Sequence, residues 1–240
     1  MRRAIILAGG EGTRLRPYTT VLPKPLMPIA DRPVLDIVVR QLKSAGFERI
    51  TMATGHLAEL IETYFGDGSQ YGIAIDYHRE SEPLGTAGAL SVIEGVGDQD
   101  VLVMNGDTLT DIDYSEFFEA HLEGDAVATI ATTRREIQVS LGVPRCENGD
   151  PTRLTSYTEK PVLNYDASMG IYCFSPRALA FMTVGERLDF PQLVLRLIAE
   201  NEVVRTWRSD NYWLDIGRHE DYEQALEEFE RYRERLLPAE

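Results

Sequence analysis

The sequence predicts an α/β fold with a mixed, mainly parallel central sheet, on three observations. Short apolar runs of strand character alternate with segments of helical spacing through the first half of the chain. The first of these runs, Ala4-Ile5-Ile6-Leu7, is continuous rather than alternating, as expected of a strand buried on both faces. The second half is richer in strand-like segments, which makes the sheet mixed.

The elements follow in order. After the first strand, residues 34–45 carry Val34, Leu35, Val38 and Leu42 at helical spacing and stop at Gly46. Residues 49–54 form a strand, 57–65 a helix ended by Gly66-Asp67-Gly68, and 73–77 a strand. Residues 86–93 form a short helix behind Gly85, and 101–104 a central strand. Residues 126–132, 141–146, 153–158 and 170–174 are further strands, with Asn148-Gly149-Asp150 marking a hairpin turn. Residues 188–199 form a helix with Asp189 near its start. The segment 218–237 is an amphipathic helix bearing Tyr222, Leu226, Phe229, Tyr232 and Leu236 on one face. Its expected use is packing on the body of the protein, with a homodimer contact as the alternative. No repeat, linker or low-complexity stretch interrupts the chain, so residues 1–240 read as one domain.

Composition narrows the function classes. With 24 basic and 39 acidic residues the net charge is −15, which argues against non-specific binding to nucleic acid or to an anionic membrane. No apolar stretch has membrane-spanning length, and Met1-Arg2-Arg3 and the strand behind it lack a signal-peptide cleavage region. Cys146 and Cys173 stand apart without a Cys-x-x-Cys pattern, which fits free thiols in a reducing cytoplasm. The four histidines, at 56, 78, 121 and 219, do not cluster and read as surface or packing residues.

The chemistry concentrates behind the first strand, in Leu7-Ala8-Gly9-Gly10-Glu11-Gly12-Thr13-Arg14-Leu15-Arg16 and then Pro23-Lys24-Pro25. A glycine-rich turn presents converging backbone N–H groups with no side chains in the way, which suits phosphate. Arg14 and Lys24 add fixed cations for a polyanion such as a nucleoside triphosphate. No Lys-Ser or Lys-Thr follows the glycines, so this is not a P-loop. Leu15 stands where a dinucleotide fingerprint requires its third glycine, so it is not that motif either. A plain turn with flexible glycines remains the bland alternative. Two carboxylates sit at strand ends: Asp107, behind Asn105-Gly106, and Asp215, before Ile216-Gly217. Each can hold a metal against a ligand; each can also be a turn or capping residue. Asp111-Ile112-Asp113 offers a rival metal motif, but Asp113 and Glu116 flank the start of an apolar-periodic segment and read as a helix cap.

The long spaced pattern Gly9-Gly10-Glu11-Gly12-Thr13-Arg14-Leu15-Arg16-Pro17, Pro23-Lys24-Pro25 and Pro28-Ile29 resembles the signature of the sugar-1-phosphate nucleotidyltransferases, with further matches to about residue 222. The resemblance implies a Rossmann-like three-layer sandwich of the nucleotide-diphospho-sugar transferase type. It implies a nucleotide site at Leu7, Ala8, Gly9, Gly10, Gly12, Thr13, Arg14 and Lys24, with Asn105 and Gly106. It assigns base binding to the loop 82–88, including Pro83, Gly85 and Thr86. Glu159-Lys160-Pro161 resembles the family's motif for sugar hydroxyls and sugar phosphate, and Met169-Gly170-Ile171-Tyr172 resembles its glycine strand beneath the sugar. Asp107 and Asp215 match the positions that hold Mg²⁺, with Asp215 also at the sugar-phosphate end. Arg14, Lys24, Asp107 and Lys160 are the implied catalytic set.

The expected reaction is NTP plus sugar 1-phosphate giving NDP-sugar plus pyrophosphate. Leu84-Gly85-Thr86-Ala87-Gly88 and Pro23-Lys24-Pro25 resemble guanylyltransferases for mannose 1-phosphate or heptose 1-phosphate, so GTP is favoured over UTP, CTP, dTTP or ATP. A non-catalytic sugar-nucleotide-binding subunit and a metal-dependent glycosyltransferase are the readings of other classes. The chain shows no left-handed β-helix repeat of the kind many longer relatives carry.

Overall fold

A computed structural model of the chain describes residues 1–80 and 82–237. The strands and helices are β1 (Arg3–Ala8), β2 (Pro28–Ile29), β3 (Arg32–Pro33), α1 (Val34–Ser44), β4 (Arg49–Thr54), α2 (Ala58–Phe65), β5 (Ala74–Arg79), α3 (Gly85–Gly88), β6 (Val101–Asn105), β7 (Thr108–Thr110) and α4 (Tyr114–Glu123). They continue with β8 (Ala128–Gln138), β9 (Val143–Glu147), β10 (Asp150–Thr158), β11 (Val162–Phe174), α5 (Pro176–Leu179), α6 (Phe190–Ala199), β12 (Val204–Ser209), β13 (Trp213–Asp215) and α7 (His219–Leu236).

Among the described residues the main sheet has seven strands in the order β12-β8-β11-β6-β1-β4-β5. β1 pairs in parallel with β4 and with β6, β4 with β5, and β12 with β8, while β11 runs antiparallel to both of its neighbours. The sheet is therefore mixed and mainly parallel, as the alternation of elements predicts. Its two faces are written in the period-two geometry of the strands. Ala4, Ile6 and Ala8 of β1 join Leu102 and Met104 of β6 in the core beneath α1, α2 and α4. Ile5 of β1 joins Val101 and Val103 of β6 in the core beneath α3, α5 and α6. Helices on both faces complete the three layers.

A third apolar cluster matters more for the site. Leu15 behind the glycine loop, Ile29, Val34 and Ile37 pack with Leu109 of β7, Leu214 and Ile216 around β13, and Ala225, Phe229 and Leu236 of α7. α7 thus packs on the body as its amphipathic pattern predicts, and it clamps β7 and β13, the elements that flank Asp107 and Asp215.

Three differences from the sequence reading have physical causes. β8 and β11 are longer than expected: residues 134–138 pair with 162–166 as a ribbon exposed on both faces. With no core face, such a ribbon carries no apolar alternation to read. Among the described residues β12 is an edge strand that pairs only with β8, and its Arg205 and Arg208 break the apolar signal. The segment 86–93 is a single helical turn, Gly85–Gly88, followed by a 3-10 turn, Ala89–Val92, because Gly85 adopts φ +79° and the turn is bent to meet Leu188. Asp189 caps α6 with a full capping box, and the hairpin turn between β9 and β10 lies at Asn148-Gly149 with Gly149 at φ +92°.

Candidate active site

A cavity of about 550 Å³ opens at the carboxyl ends of β1, β4, β5 and β6. Chain direction explains its place. From β1 the chain moves one way to β4 and β5, then returns to the other side of β1 as β6, and the crevice forms where the order reverses. Leu7, Gly9, Gly10, Asn105 and Asp107 line it together with Pro83, Gly85 and Thr86.

The glycine loop is held open by its own backbone. Gly12 sits at φ +60°, and a Cβ there would lie 2.9 Å from Thr19 Cγ2 and 3.3 Å from Lys24 Cβ. The Thr19 hydroxyl donates to the Gly12 carbonyl at 2.8 Å, and His56 donates from Nε2 to the Thr19 carbonyl at 3.1 Å. His219 donates to the Arg16 carbonyl at 2.8 Å, with the Tyr18 ring packed against His219 and Tyr222. Among the described residues the N–H groups of Gly10, Glu11 and Gly12 have no partner, so they remain available to an anion.

The charged centre lies beside this loop. Lys24, set between Pro23 and Pro25, places its ammonium on Asp107 Oδ2 and 3.9 Å from Asp215 Oδ1. Asp107 follows a tight turn: Gly106 N–H donates to the Leu7 carbonyl, and a Cβ on Gly106 would lie 3.1 Å from Ile6 Cγ2. Ile216 N–H donates to the Asp107 carbonyl at 3.2 Å, which fastens the two acidic turns to each other. Arg14 reaches the same place, with a guanidinium nitrogen 3.5 Å from where a Gly217 Cβ would be. Burial and the neighbouring Asp107 push the Asp215 carboxyl above the usual range, against the pull of Lys24 and Arg14. Asp107 Oδ1 is buried and has no hydrogen-bond partner. Together these atoms offer an anion cradle, two cations, and two adjoining carboxylates of which one carries an orphan oxygen.

Gly170 meets this cluster from the far side. It holds φ +73°, and a Cβ there would fall 2.6 Å from Asn105 Nδ2. Trp213 donates from its indole N–H to the neighbouring Met169 carbonyl, tying β13 to β11. Glu159 and Lys160 are not in this cluster. Both are exposed in the turn between β10 and β11, and Val162, where β11 begins, is about 20 Å along the strand from Ser168 at about 3.3 Å per residue. Lys160 adopts φ +45°, a left-handed backbone uncommon outside glycine.

The rival metal motif is occupied otherwise. Asp113 accepts from the Ser115 and Glu116 N–H groups as the cap of α4. Asp111 accepts from Tyr212 N–H and pairs with Arg235. Neither faces the cavity. Four cavity residues escape sequence reasoning, Gly55, His56, Glu80 and Asp189. Asp189 takes the Thr86 N–H at 2.9 Å and shapes the loop opposite the glycines. Glu80 and His56 stand immediately behind or after strand ends, a placement that is the one sequence signal either carries.

A family model described as nucleotidyl transferase matches residues 3–231. This chain belongs to the sugar-1-phosphate nucleotidyltransferase family. It is 35% identical, over 93% of its length, to a UTP–glucose-1-phosphate uridylyltransferase of Synechocystis sp.. It is 32% identical, over 95% of its length, to the D-glycero-alpha-D-manno-heptose 1-phosphate guanylyltransferase of Aneurinibacillus thermoaerophilus. The chain spans 62% of the Synechocystis relative and 99% of the Aneurinibacillus one. In structure it is similar to HddC from Yersinia pseudotuberculosis complexed with GMP-PN, with a TM-score of 0.72 at 28% identity, covering 95% of this chain and all of that one.

Proposed function

We propose that this protein transfers a nucleotidyl group from a nucleoside triphosphate, with GTP favoured, to a sugar 1-phosphate, releasing pyrophosphate. The observation that carries the reading is the juxtaposition of an unsatisfied glycine loop and Asp107, which line one cavity, with Lys24 and Asp215 gathered at Asp107 and Arg14 beside Gly217. The guanylyltransferase relative and the GMP-PN complex of HddC support guanine; the Synechocystis relative keeps uridine as the alternative.

In this reading the backbone N–H groups of 10–12 receive the triphosphate, with Arg14 and Lys24 balancing its charge. A phosphate oxygen of the sugar 1-phosphate attacks the α-phosphorus in line, a new P–O bond forms, and pyrophosphate leaves with the electron pair of the bond broken. The attacking phosphate is already anionic at neutral pH, so no general base is required. The barrier is anion–anion repulsion and orientation; positioning two reactants supplies about 7–11 kcal/mol. Gly170 leaves room for the sugar ring beside Asn105. Lys160 meets the sugar phosphate and Glu159 accepts from sugar hydroxyls when the exposed β10–β11 turn approaches the bound substrate.

The donor set fits Mg²⁺. Two adjoining carboxylates, one with a buried oxygen lacking a partner, suit an ion that takes one or two carboxylates and completes its shell with phosphate oxygens and water. Asp107 and Asp215 would hold it, and when bound it would neutralise charge on the phosphates. Lys24, which bridges the two carboxylates here, would then turn to the triphosphate.

The test is a matrix of GTP, UTP, CTP, dTTP and ATP against a panel of sugar 1-phosphates with Mg²⁺, read by pyrophosphate release. Release that depends on both substrates is expected. No release from any pair, with sugar transfer from an NDP-sugar instead, would replace this reading by a glycosyltransferase.

A further inference from the structure

β4 delivers its last residues against the glycine loop. A Cβ on Gly55 would fall 2.7 Å from the Gly9 carbonyl oxygen and 3.1 Å from Gly9 Cα, an approach that glycine alone permits. The contact lets the next residue, His56, donate its backbone N–H to that same Gly9 carbonyl at 3.2 Å. Its imidazole reaches past the loop, and Nε2 lies 3.1 Å from the Thr19 carbonyl oxygen. A carbonyl only accepts, so Nε2 carries the ring proton. Thr19 is buried and passes the hold on: its hydroxyl donates to the Gly12 carbonyl at 2.8 Å. His56 thus holds both ends of residues 9–12, the start by a main-chain bond and the end by a side-chain bond relayed through Thr19. Between these ends lie the N–H groups of Gly10, Glu11 and Gly12, without a partner among the described residues. His56 lines the cavity together with Gly9, Gly10 and Glu11.

Glycine gives the loop its open face and also its freedom: Gly9, Gly10 and Gly12 cost more entropy to order than any other residue would. Donors that must converge before an anion arrives therefore need a hold from outside the loop. We propose that His56 is the positioning residue of this loop: its Nε2–H, acting through Thr19, sets the far end of the cradle so that the N–H groups of 10–12 converge on a triphosphate. The inference rests on the transferase reading above for the identity of the anion. The two fastenings respond differently to substitution. The main-chain bond to Gly9 survives a change of side chain at 56; the hold on Gly12 does not. With Nε2 committed to a carbonyl, His56 shapes the backbone and gives no proton to the phosphates. Its effect falls on the nucleotide and spares the sugar 1-phosphate.

The experiment compares His56→Gln with His56→Asn on the full chain. Glutamine carries its amide nitrogen as many bonds from Cβ as histidine carries Nε2, so it can still donate to Thr19; the asparagine amide stops at the place of Nδ1 and cannot. Two quantities are read: the calorimetric Kd of inorganic tripolyphosphate with Mg²⁺, and the KM of each substrate for the pair that releases pyrophosphate fastest. If the unlatched loop holds its convergent form about a tenth of the time, His56→Asn raises the tripolyphosphate Kd and the nucleotide KM about tenfold and leaves the sugar-phosphate KM unchanged. His56→Gln should stay within about threefold of the parent, since the bond is kept. Thr19→Val should match His56→Asn, and the double variant should lose no more than the worse single one, because the two residues act in series. Should His56→Asn fail to fold, Thr19→Ser against Thr19→Val reads the same relay from its other end. Equal losses in the Gln and Asn variants, losses that add in the double variant, or a sugar-phosphate KM that rises with the nucleotide KM would overturn the assignment. Tripolyphosphate binding is scored without turnover, so a protein that shows this pattern and releases no pyrophosphate sinks the transferase reading and leaves the role of His56 standing.

Discussion

At the residue scale the site is a balance of like and unlike charge, and Asp215 shows its sign. Burial and Asp107 hold its carboxyl above the usual range, so the folded chain binds that proton more tightly than the unfolded chain does. Stability from this residue is therefore present at low pH and is lost as pH rises from the ordinary carboxylate range through the raised folded value; at neutral pH the ionised form is a net cost. With about half its side chain exposed, the cost is a fraction of a kcal/mol after solvent screening. In metal-free protein at pH 7.5, Asp215→Asn is expected to melt about 1–3 °C higher than the parent, with the gap closing toward pH 4. The same variant should lose Mg²⁺-dependent turnover, and a lower melting temperature at pH 7.5 would contradict the sign. Lys24→Ala and Asp107→Ala remove preorganised electrostatic contacts of about 3–4 kcal/mol, so each should cut kcat by on the order of a hundredfold or more. Near-parental kcat in both purified variants would remove them from the catalytic set.

At the scale of elements, the glycine loop is shaped by what grips it. Thr19, His56, His219 and Tyr18 hold its carbonyls and its flank, and two of these grips come from α7 or lean on it. Gly12→Ala places a methyl against Thr19 in a left-handed backbone, a strain of about 1–3 kcal/mol. Nucleotide Kd by calorimetry should rise about tenfold or more while the far-ultraviolet spectrum stays the same. Phe229→Ala empties a fully buried position on the inner face of α7 and should cost about 3–5 kcal/mol in denaturant unfolding. The same elements mark what the sequence shows. β1 and β6 are legible because both faces are buried and their residues run apolar without a break. Gly12 and Lys24 stand out in the sequence because they belong to a long spaced motif, Asp107 and Asp215 because they sit at strand ends and match the family's pattern, and the fold brings Lys24 onto both carboxylates. The outer halves of β8 and β11 are not, since a ribbon bathed by solvent on both faces has no periodicity to display. Glu80, His56 and Asp189 are single residues whose meaning depends on neighbours distant in sequence: Gly9, Thr19 and Thr86 respectively.

At the scale of the whole molecule, the proposed reaction asks a body of net charge −15 to admit two polyanions. Their attraction is thus local, from backbone N–H groups, Arg14 and Lys24, while the surroundings repel them. The other candidate cation, Lys160, sits on an exposed turn at the outer end of the β8–β11 ribbon, away from the buried sheet that carries the first two. In the proposed reaction the buried sheet would hold the triphosphate and the exposed ribbon with its β10–β11 turn would order with the sugar. Hydrogen exchange tests that division directly. In the free protein, β1, β4 and β6 amides should exchange slowest, and residues 134–138 and 143–166 fastest, because local openings there disrupt little buried surface. GTP with Mg²⁺ should slow exchange in 9–14, 83–86 and 105–107 and leave the ribbon unchanged. GDP-mannose, as a sugar-nucleotide probe, should in addition slow 159–170. If 159 and 160 exchange identically with and without the sugar nucleotide while 105–107 are protected, Lys160 has no part in the site, and the sugar phosphate must be met by Arg14, Lys24 and Asn105 alone.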